Sequence, residues 1–232
     1  CIAEGNPQGP FKCAGIGGED GPPSTVPYDG MCAVVSRAPL ASYRVDRRNT
    51  LCHQRVLEEV MASTLVLPVK FATVARSEDA VLQILKSRHE ELRAGFARIR
   101  GSHELGVKAT WKKEVVFEEI LRENQEISSQ REALVSRRIS SGRDHWRLMA
   151  IGERIQAALR AKNEAEKKPL LGPLESLALE ARVNDAFSDR MVLNASFLVR
   201  EEMEKAFDET VDRLARERAE RMVFKYVGPV PP

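Results

Sequence analysis

A glycine-rich stretch near the start of the chain is the first pattern that could serve chemistry. Residues 15–21 read Gly-Ile-Gly-Gly-Glu-Asp-Gly, and backbone N–H groups in such loops can cradle a phosphate. A Walker A loop requires Lys and then Ser or Thr after its last glycine, whereas this chain has Pro22 and Pro23. A dinucleotide-binding fingerprint requires glycine where Asp20 stands. The pattern therefore favours a loop that holds no nucleotide.

Cysteine and histidine side chains are the next candidates, as nucleophiles or metal ligands. Cys52 and His53 are sequence neighbours, and adjacent residues on a helix point in different directions, so they do not form a thiolate–imidazolium pair on their own. His89 falls in an apolar helical stripe, which favours a core or boundary position. His103 and His145 have no partner at metal-ligand spacing. We therefore predict no catalytic residue, no metal site and no cofactor, and hence no enzyme.

A basic segment raises the question of nucleic-acid binding. Residues 131–168 carry ten basic side chains against five acidic ones. Single-strand binders interleave such charges with aromatic rings, but Trp146 is the one aromatic residue in this segment. The pattern favours a solvated helical surface, and we expect no nucleic-acid partner. Binding through residues 137–147 remains a less favoured hypothesis.

The overall composition is that of a soluble globular protein. Lys and Arg number 36 against 34 Asp and Glu, so the net charge is +2 and strong electrostatic steering is excluded. With 43% hydrophobic and 30% charged residues, the chain is neither disordered nor membrane-embedded. The longest uncharged run, Val60–Val69, contains a proline and is far shorter than the ~20 residues of a membrane span. We therefore expect no membrane partner.

The cysteines indicate a compartment. Cys1, Cys13, Cys32 and Cys52 contain no C-x-x-C pair, and no secretory leader precedes them. This pattern favours reduced thiols in a cytoplasmic protein over a disulfide framework. The absence of an initiating Met also leads us to expect that residues are missing at the front of the chain, and the end after Pro232 resembles a truncation.

Hydrophobic periodicity predicts a small α+β domain over residues 1–112. Its expected elements are a strand end at Cys1–Ala3, a strand at Met31–Ser36, a helix capped by Asn49 or Thr50, a strand at Leu65–Val74, a helix from the Ser77 cap to Gly101, and a strand at His103–Trp111. The rest of residues 1–30 is expected to be loop. This order predicts a ferredoxin-like arrangement that is modified at its start.

Residues 113–232 predict a second α+β domain that begins with a long helical, coiled-coil-like region. The expected elements are helices from Glu114 to Lys168 with a break at residues 140–142, a helix end at Pro169, a helical piece at Leu174–Val183, a strand at Met191–Val199, a helix with the stripe Met203, Phe207, Val211 and Leu214, and a strand at Met222–Val227. The predicted fold class is therefore α+β with two α+β domains.

Five motifs lie in order along almost the whole chain. They are His53–Val60, which fits H-x-x-V-L-E-x-V; Leu67–Val74, close to LPVRFGTV; Gly106–Lys108, within E-x-G-V-K; Ser188–Val199, close to SDRMVLNAAYLV; and Tyr226–Pro232, close to Y-x-G-P-x-P-P. Together they resemble the gas vesicle protein F/L family (GvpF/GvpL). Lys70 and Ala72 depart from that pattern, which has arginine and glycine there. A lysine lacks the bidentate geometry of an arginine.

The resemblance implies a non-enzymatic accessory protein of gas vesicles, located in the cytoplasm and associated with the vesicle. Its implied partner is the small, hydrophobic shell protein (GvpA), whose aggregation it would limit while it assists assembly, as an assembly factor or a minor vesicle component. Other accessory proteins are further implied partners. The implied fold is two α+β domains, the first modified ferredoxin-like. The alternative hypothesis is a coiled-coil scaffold that bridges other accessory proteins without capturing the shell protein.

Candidate partner-binding positions come from these motifs: Leu67, Pro68, Lys70, Phe71, Lys108, Asp189, Arg190 and Asn194. A shell subunit with exposed apolar surface and strand edges aggregates unless something covers them. The predicted Leu65–Val74 strand would offer an edge for strand addition, and the long helices would offer an apolar groove. The competing interpretation is structural, with a core strand at residues 67–74 and a cap and ion pair before the Met191 strand.

Overall fold

The chain folds into two compact α+β units. The first consists of Cys1–Glu104 with Pro229 and Val230, and the second of Leu105–Gly228. The structure, a computed structural model, describes residues 1–7, 9, 11–16, 21–135 and 142–230. The first part of the chain forms β1 (Ile2–Glu4), β2 (Ser24–Tyr28), β3 (Met31–Val35), α1 (Arg47–Met61), β4 (Val66–Leu67), α2 (Glu78–Ser87) and α3 (His89–Ile99). The second part forms β5 (Ser102–Trp111), α4 (Lys113–Glu123), α5 (Gln125–Val135), α6 (Gly142–Glu175), β6 (Glu180–Val183), β7 (Met191–Arg200), α7 (Glu201–Glu217) and β8 (Met222–Val230).

The first sheet has the strand order β2-β3-β1-β4, and each neighbouring pair is antiparallel. The strands predicted at the chain start and at Met31 are confirmed. Strand β2 was not predicted from the sequence, because prolines and glycines fill the residues before it and favour a loop. The two-residue turn Asp29-Gly30, with φ of 38° and 78°, joins β2 to β3. Asp-Gly is a strong signal for such a hairpin and could have revealed the strand.

This sheet is packed on both faces. Alternate strand residues point to opposite sides. On one side, α1 buries Val56, Leu57 and Val60 against Ala3, Cys32 and Val34. On the other side, α2 and α3 bury Leu85 and Phe96 against Ile2, Met31 and Ala33. The first unit therefore has three layers, with helices on both faces of the sheet.

Helix starts agree in part with the sequence expectations. Ser77 caps α2 as predicted, since its side chain accepts a hydrogen bond from the Ala80 N–H. The caps predicted at Asn49 or Thr50 are wrong. Asp46 caps α1 instead and accepts from the Asn49 N–H at 2.8 Å. A carboxylate three residues upstream offers the same capping geometry as an amide or hydroxyl. The single helix predicted up to Gly101 is divided at Arg88 into α2 and α3.

The strand predicted at Leu65–Val74 is wrong except for β4, which pairs two residues with β1. The strand ends at Leu67, because the next residue, Pro68, lacks the N–H needed to continue a ladder. The chain then turns, and the Thr73 N–H donates to the Lys70 carbonyl at 3.1 Å. Ala72 has a φ of 60° in this turn, a left-handed conformation. The β4 strand does lie at the sheet edge, as expected for a strand beside a proline.

The second sheet has the order β6-β7-β5-β8. The strand predicted at His103–Trp111 belongs to this sheet, as β5, and not to the sheet of the first unit. From β5 to β8 the described elements follow a β-α-β-β-α-β order, with α4, α5 and α6 in the first connection. That order defines the ferredoxin-like arrangement, which was predicted for residues 1–112. The α+β class is confirmed, whereas the first unit starts with three consecutive strands and does not follow the ferredoxin-like order.

Two predictions in the helical region are wrong. The helix end at Pro169 does not occur, because α6 continues through Pro169 and Pro173 to Glu175. Burial of Leu170 and Leu174, both 0% exposed, offsets the lost backbone hydrogen bonds. The helical piece predicted at Leu174–Val183 is instead the end of α6, a turn and strand β6. The break predicted at residues 140–142 falls mainly on residues 140 and 141, outside the described part of the chain.

The core of the second unit follows the predicted periodicities. Leu105, Val107, Ala109 and Trp111 alternate along β5 and are all buried, which confirms the half-buried strand. The α7 stripe of Phe207, Val211 and Leu214 packs on the same core.

Two predictions about this region stay predictions. One is that the boundary between two independently folding domains lies at Lys112. The other is the coiled-coil character of the helices.

An ion-pair network joins α4, α6 and the start of β8. The Arg221 guanidinium donates to both carboxylate oxygens of Glu119, at 2.8 and 3.0 Å, and to Glu166 at 2.7 Å. Lys162 donates to Glu119 at 2.9 Å. The guanidinium also lies over the Trp111 ring, 4.8 Å from its centroid. Only 12% of the Glu119 side chain is exposed, so these charges are shielded from water and strongly coupled.

We expect Glu119→Gln to lower the free energy of unfolding at pH 7 by about 2–3 kcal/mol, because it leaves Arg221 and Lys162 with an incomplete set of acceptors. The hydrogen bond from Arg221 lowers the pKa of Glu119 to about 2. A carboxylate with a lowered pKa stabilises the fold above its unfolded pKa and loses this effect as the pH falls. The difference between wild type and variant should therefore shrink from pH 4.5 towards pH 2, as measured by urea unfolding.

The matched control is Glu126→Gln, since Glu126 pairs with Arg154 but is 70% exposed. An exposed pair of this kind contributes little, so the control should cost less than about 1 kcal/mol. Equal losses in the two variants, or a Glu119→Gln penalty that does not change with pH, would contradict the role of the network.

Ala72→Gly should raise the free energy of unfolding by about 0.5–1 kcal/mol, because glycine adopts a positive φ without steric cost. Greater freedom of the unfolded chain subtracts part of the gain. Thermal and urea unfolding measure the change. Ala75→Gly in the same loop, where φ is not positive, is the control and should be slightly destabilising. A loss of stability in Ala72→Gly would show that the turn is not strained.

Candidate partner-binding surfaces

A groove of about 510 Å³ opens in the first unit, where β3 ends. We call it the sheet-end groove. Its lining comes from the strand end, from α1, from the loop after β4 and from α2, and its main apolar members are Val34, Val35, Val56, Val69, Val74, Val81, Ile84 and Leu85. Two of these, Val74 and Ile84, are 40% and 43% exposed. The groove thus leaves an apolar surface in contact with water.

The glycine-rich stretch contributes to this groove through close packing. Gly15 lines the groove beside Ser36, and a Cβ at Gly15 would lie 1.6 Å from the Ser36 Oγ. Only glycine allows this approach of the two segments. Residues 17–20, which suggested a phosphate loop in the sequence, lie outside the described residues.

One wall of the groove is the loop after β4, which an aromatic contact holds against α1. The Phe71 ring meets the His53 ring edge to face, with centroids 5.7 Å apart. Burial lowers the pKa of His53, which favours the neutral imidazole. Ala72, with its left-handed backbone, directly follows Phe71. The wall shape therefore depends on a ring pair and on one strained residue.

The charged groups among the described lining residues are mostly positive. Within that set, Arg37, Lys70 and Arg76 stand against a single carboxylate, Glu78. Arg37 and Glu78 are 3.6 Å apart but 79% and 63% exposed, so their pair is weak. A partner segment with carboxylates beside apolar side chains fits this lining.

The candidate positions of the first unit lie around the loop after β4. Leu67 packs in the core with α2 and α3, and its Cδ1 would lie 3.1 Å from a Cβ at Gly95. Pro68 is exposed where β4 ends, while Lys70 lines the groove. Phe71 contacts His53 as described. The structure thus gives Leu67 a packing role and places Lys70 in the groove lining, while Phe71 lies behind it against His53.

The other four candidates lie in the second unit, mostly near the start of β7. Asp189 accepts from Gln156 Nε2 at 3.3 Å, and its carbonyl accepts from Asn163. Arg190 donates to the Trp111 carbonyl at 3.0 Å. These contacts fasten the loop before β7 to α6 and to β5. Both residues also line a shallow groove along α4 and α6, together with Phe117, Ile155 and Leu159.

Asn194 and Lys108 have local contacts that explain their residue types. Asn194 is 6% exposed, and its Nδ2 donates to the Asp185 carbonyl at 2.7 Å. Lys108 lies over the Phe187 ring, 5.0 Å from its centroid. Phe187 itself is 75% exposed. Asn194 therefore anchors the loop between β6 and β7, while Lys108 and Phe187 form part of the exposed surface.

Most of the residues that form the sheet-end groove were not identified from the sequence. Val34, Val56 and Ile84 belong to a predicted strand and two predicted helices, but nothing in their spacing shows that they meet. The clearest available signal was Ile84, an apolar residue beside the predicted stripe of Val81 and Leu85. A surplus apolar side chain on a helix can mark a second buried or binding face.

The described residues offer little support for a metal site or a membrane span. Over residues 1–7, 9, 11–16, 21–135 and 142–230, no group of three or more His, Cys, Asp or Glu side chains is placed to hold a metal ion. In the same ranges, no helix is long and apolar enough to cross a membrane. The four cysteines have free thiols. Part of the basic segment, residues 136–141, lies outside the described chain.

Relatives of the chain share its architecture over nearly its full length. The crystal structure of the gas vesicle protein GvpF from Anabaena sp. PCC7120 superposes with a TM-score of 0.75 at 25% identity, covering 100% of this chain and 94% of that one. The crystal structure of gas vesicle protein GvpF from Microcystis aeruginosa gives a TM-score of 0.74 at 24% identity, with 100% and 94% coverage. The two-unit α+β fold is therefore shared with these proteins.

The sequence comparison identifies the family. Gas vesicle protein F of Streptomyces sp. (strain CB03234) is 30% identical over 227 residues, which cover 98% of this chain and 93% of the relative. Gas vesicle protein F of Dolichospermum flosaquae is 26% identical, with 85% and 80% coverage. The family profile described as gas vesicle synthesis protein GvpL/GvpF matches residues 1–232. The chain belongs to the GvpL/GvpF family and has an accessory role in gas vesicles.

Proposed function

We propose that this protein binds the hydrophobic shell protein GvpA, limits its aggregation and assists gas vesicle assembly without catalysing a reaction. It acts in the cytoplasm, in association with the vesicle. The observation that carries the proposal is the sheet-end groove, which has a volume of about 510 Å³, is lined mainly by apolar side chains and stays open to water in the first unit. Family membership supplies the context, since the relatives are gas vesicle proteins.

The physical requirement for such a protein follows from the shell. A subunit that buries apolar surface in the vesicle wall exposes that surface before assembly, and exposed apolar patches associate non-specifically. A groove that covers one apolar segment removes it from competing contacts. The positive lining of the groove, Arg37, Lys70 and Arg76, favours segments that also carry carboxylates.

Groove binding also replaces the strand-addition hypothesis at Leu65–Val74. A strand added to a sheet edge needs several residues of extended backbone to pair with. The edge strand β4 offers two, and the following residues turn away. Side chains of this segment instead line the groove, with Val69, Lys70 and Val74 among them.

The double variant Val74→Asp with Ile84→Asp should reduce the amount of shell protein held in solution by about tenfold. Both side chains line the groove and are already partly exposed, so the carboxylates disrupt binding without unfolding the core. The experiment co-expresses the tagged chain with the shell protein and quantifies soluble, co-purified shell protein. Circular dichroism and thermal unfolding confirm that the variant is folded.

The matched control is Val45→Asp. Val45 is 82% exposed in the same unit but does not line the groove, so this variant should capture shell protein as wild type does. Equal capture by all three proteins would place the binding surface elsewhere. A wild-type chain that leaves the shell protein as insoluble as it is alone would overturn direct capture and favour the scaffold that bridges other accessory proteins.

A further inference from the structure

The outermost strand of the second sheet, β6, has no paired strand on its outer side among the residues that the structure describes. It lies at one end of the order β6-β7-β5-β8, and the side chains of all four residues, Glu180–Val183, are exposed. The exposed Leu179 and Val183, at 46% and 44%, add apolar surface to this edge. Open edges of this kind are templates for pairing with another strand.

The hydrogen-bond pattern shows which backbone groups face outward. β6 pairs antiparallel with β7, with Glu180 opposite Leu198 and Arg182 opposite Ser196. The Asn184 N–H donates to the Asn194 carbonyl at 2.7 Å, and hydrogen-bonded positions recur at every second residue. Glu180 and Arg182 therefore direct their backbone groups towards β7. Ala181 and Val183 direct theirs away from the sheet.

We propose that two copies of this chain associate through β6, antiparallel and about a two-fold axis at Ala181. In this register Ala181 of each copy exchanges two backbone hydrogen bonds with Ala181 of the other. The two four-stranded sheets become one continuous sheet. A two-fold axis makes the same surface serve both partners, so β6 has to be complementary to itself.

The charges of β6 satisfy this condition. With Ala181 on the axis, Glu180 of one copy lies opposite Arg182 of the second copy, and the symmetry repeats the pair. Opposite charges directly across a strand pair are favourable, whereas like charges are unfavourable. Shifting the axis by one residue would place Arg182 opposite Arg182 of the second copy. Between these two registers, charge therefore favours the one centred on Ala181.

The apolar residues agree with the same register. Ala181 and Val183 share one face of the strand, because alternate residues do so. The Leu179 N–H donates to the Leu198 carbonyl at 2.8 Å, so Leu179 departs from this alternation, but its exposed side chain lies directly before the strand. The two-fold arrangement brings Val183 of one copy beside Leu179 of the second copy, and the reverse. Two exposed apolar side chains per copy are thereby covered, which supplies the hydrophobic part of the contact.

The test is a charge swap, read by sedimentation velocity over a concentration series of the full chain. Because the paired segment is short, we expect a weak wild-type dimer that appears at high concentration. Glu180→Arg and Arg182→Glu should each weaken the dimer about tenfold, since each creates two like-charge pairs. The double variant Glu180→Arg with Arg182→Glu restores opposite charges and should recover the wild-type dimer to within about threefold.

Two further variants distinguish the β6 contact from nonspecific effects of charge reversal and from unfolding of the monomer. Glu209→Arg, a reversal at an exposed position on α7, is the control and should leave the dimer unchanged. Ala181→Pro removes an outward N–H without touching the β6–β7 hydrogen bonds, and should abolish the dimer while the monomer stays folded. A wild-type chain that remains monomeric up to its solubility limit would overturn the proposal. So would a double variant that dimerises no better than the single reversals.

Discussion

The ion-pair network around Arg221 is the interaction on which the second unit depends most. Arg221 stands just before β8, yet its guanidinium binds Glu119 of α4 and Glu166 of α6 and stacks on Trp111 at the end of β5. The Arg221 carbonyl also accepts from the Lys112 N–H at 2.8 Å. One side chain thus connects two strands with two helices that are distant in sequence. Partly buried charges are costly unless each has its partners, so the network specifies how these elements meet.

The sequence predicted local elements well and their long-range arrangement less well. The alternation from Leu105 to Trp111 reveals a half-buried strand because that pattern is set by the strand itself. Its membership of the second sheet depends on pairing with β7 and β8, which lie about 80 or more residues further along the chain. Similarly, Pro169 is a sound local signal for a helix end. Burial of Leu170 and Leu174 in the core overrides it.

The segment from Leu65 to Val74 shows why a binding surface is harder to predict than a strand. Its β-branched residues favour an extended chain, but Pro68 ends the pairing and Ala72 adopts a left-handed turn. The turn is what places Val69, Lys70 and Val74 along the groove. The opposite walls come from α1 and α2, and no spacing in the sequence records that these three segments converge. Lys70 and Phe71 were found through motif resemblance alone.

The two proposed contacts use different units of the chain and different physics. The sheet-end groove presents apolar side chains to a segment of the shell protein, whereas the β6 edge presents backbone groups and alternating charges to a second copy. Because every copy has its own groove, a pair of copies holds two. A shell protein that offers many identical segments as it assembles would then be bound at two points, and the second contact would form at a high effective concentration. Weak pairing through a short strand is sufficient for this, since the shell protein itself would hold the two copies close together.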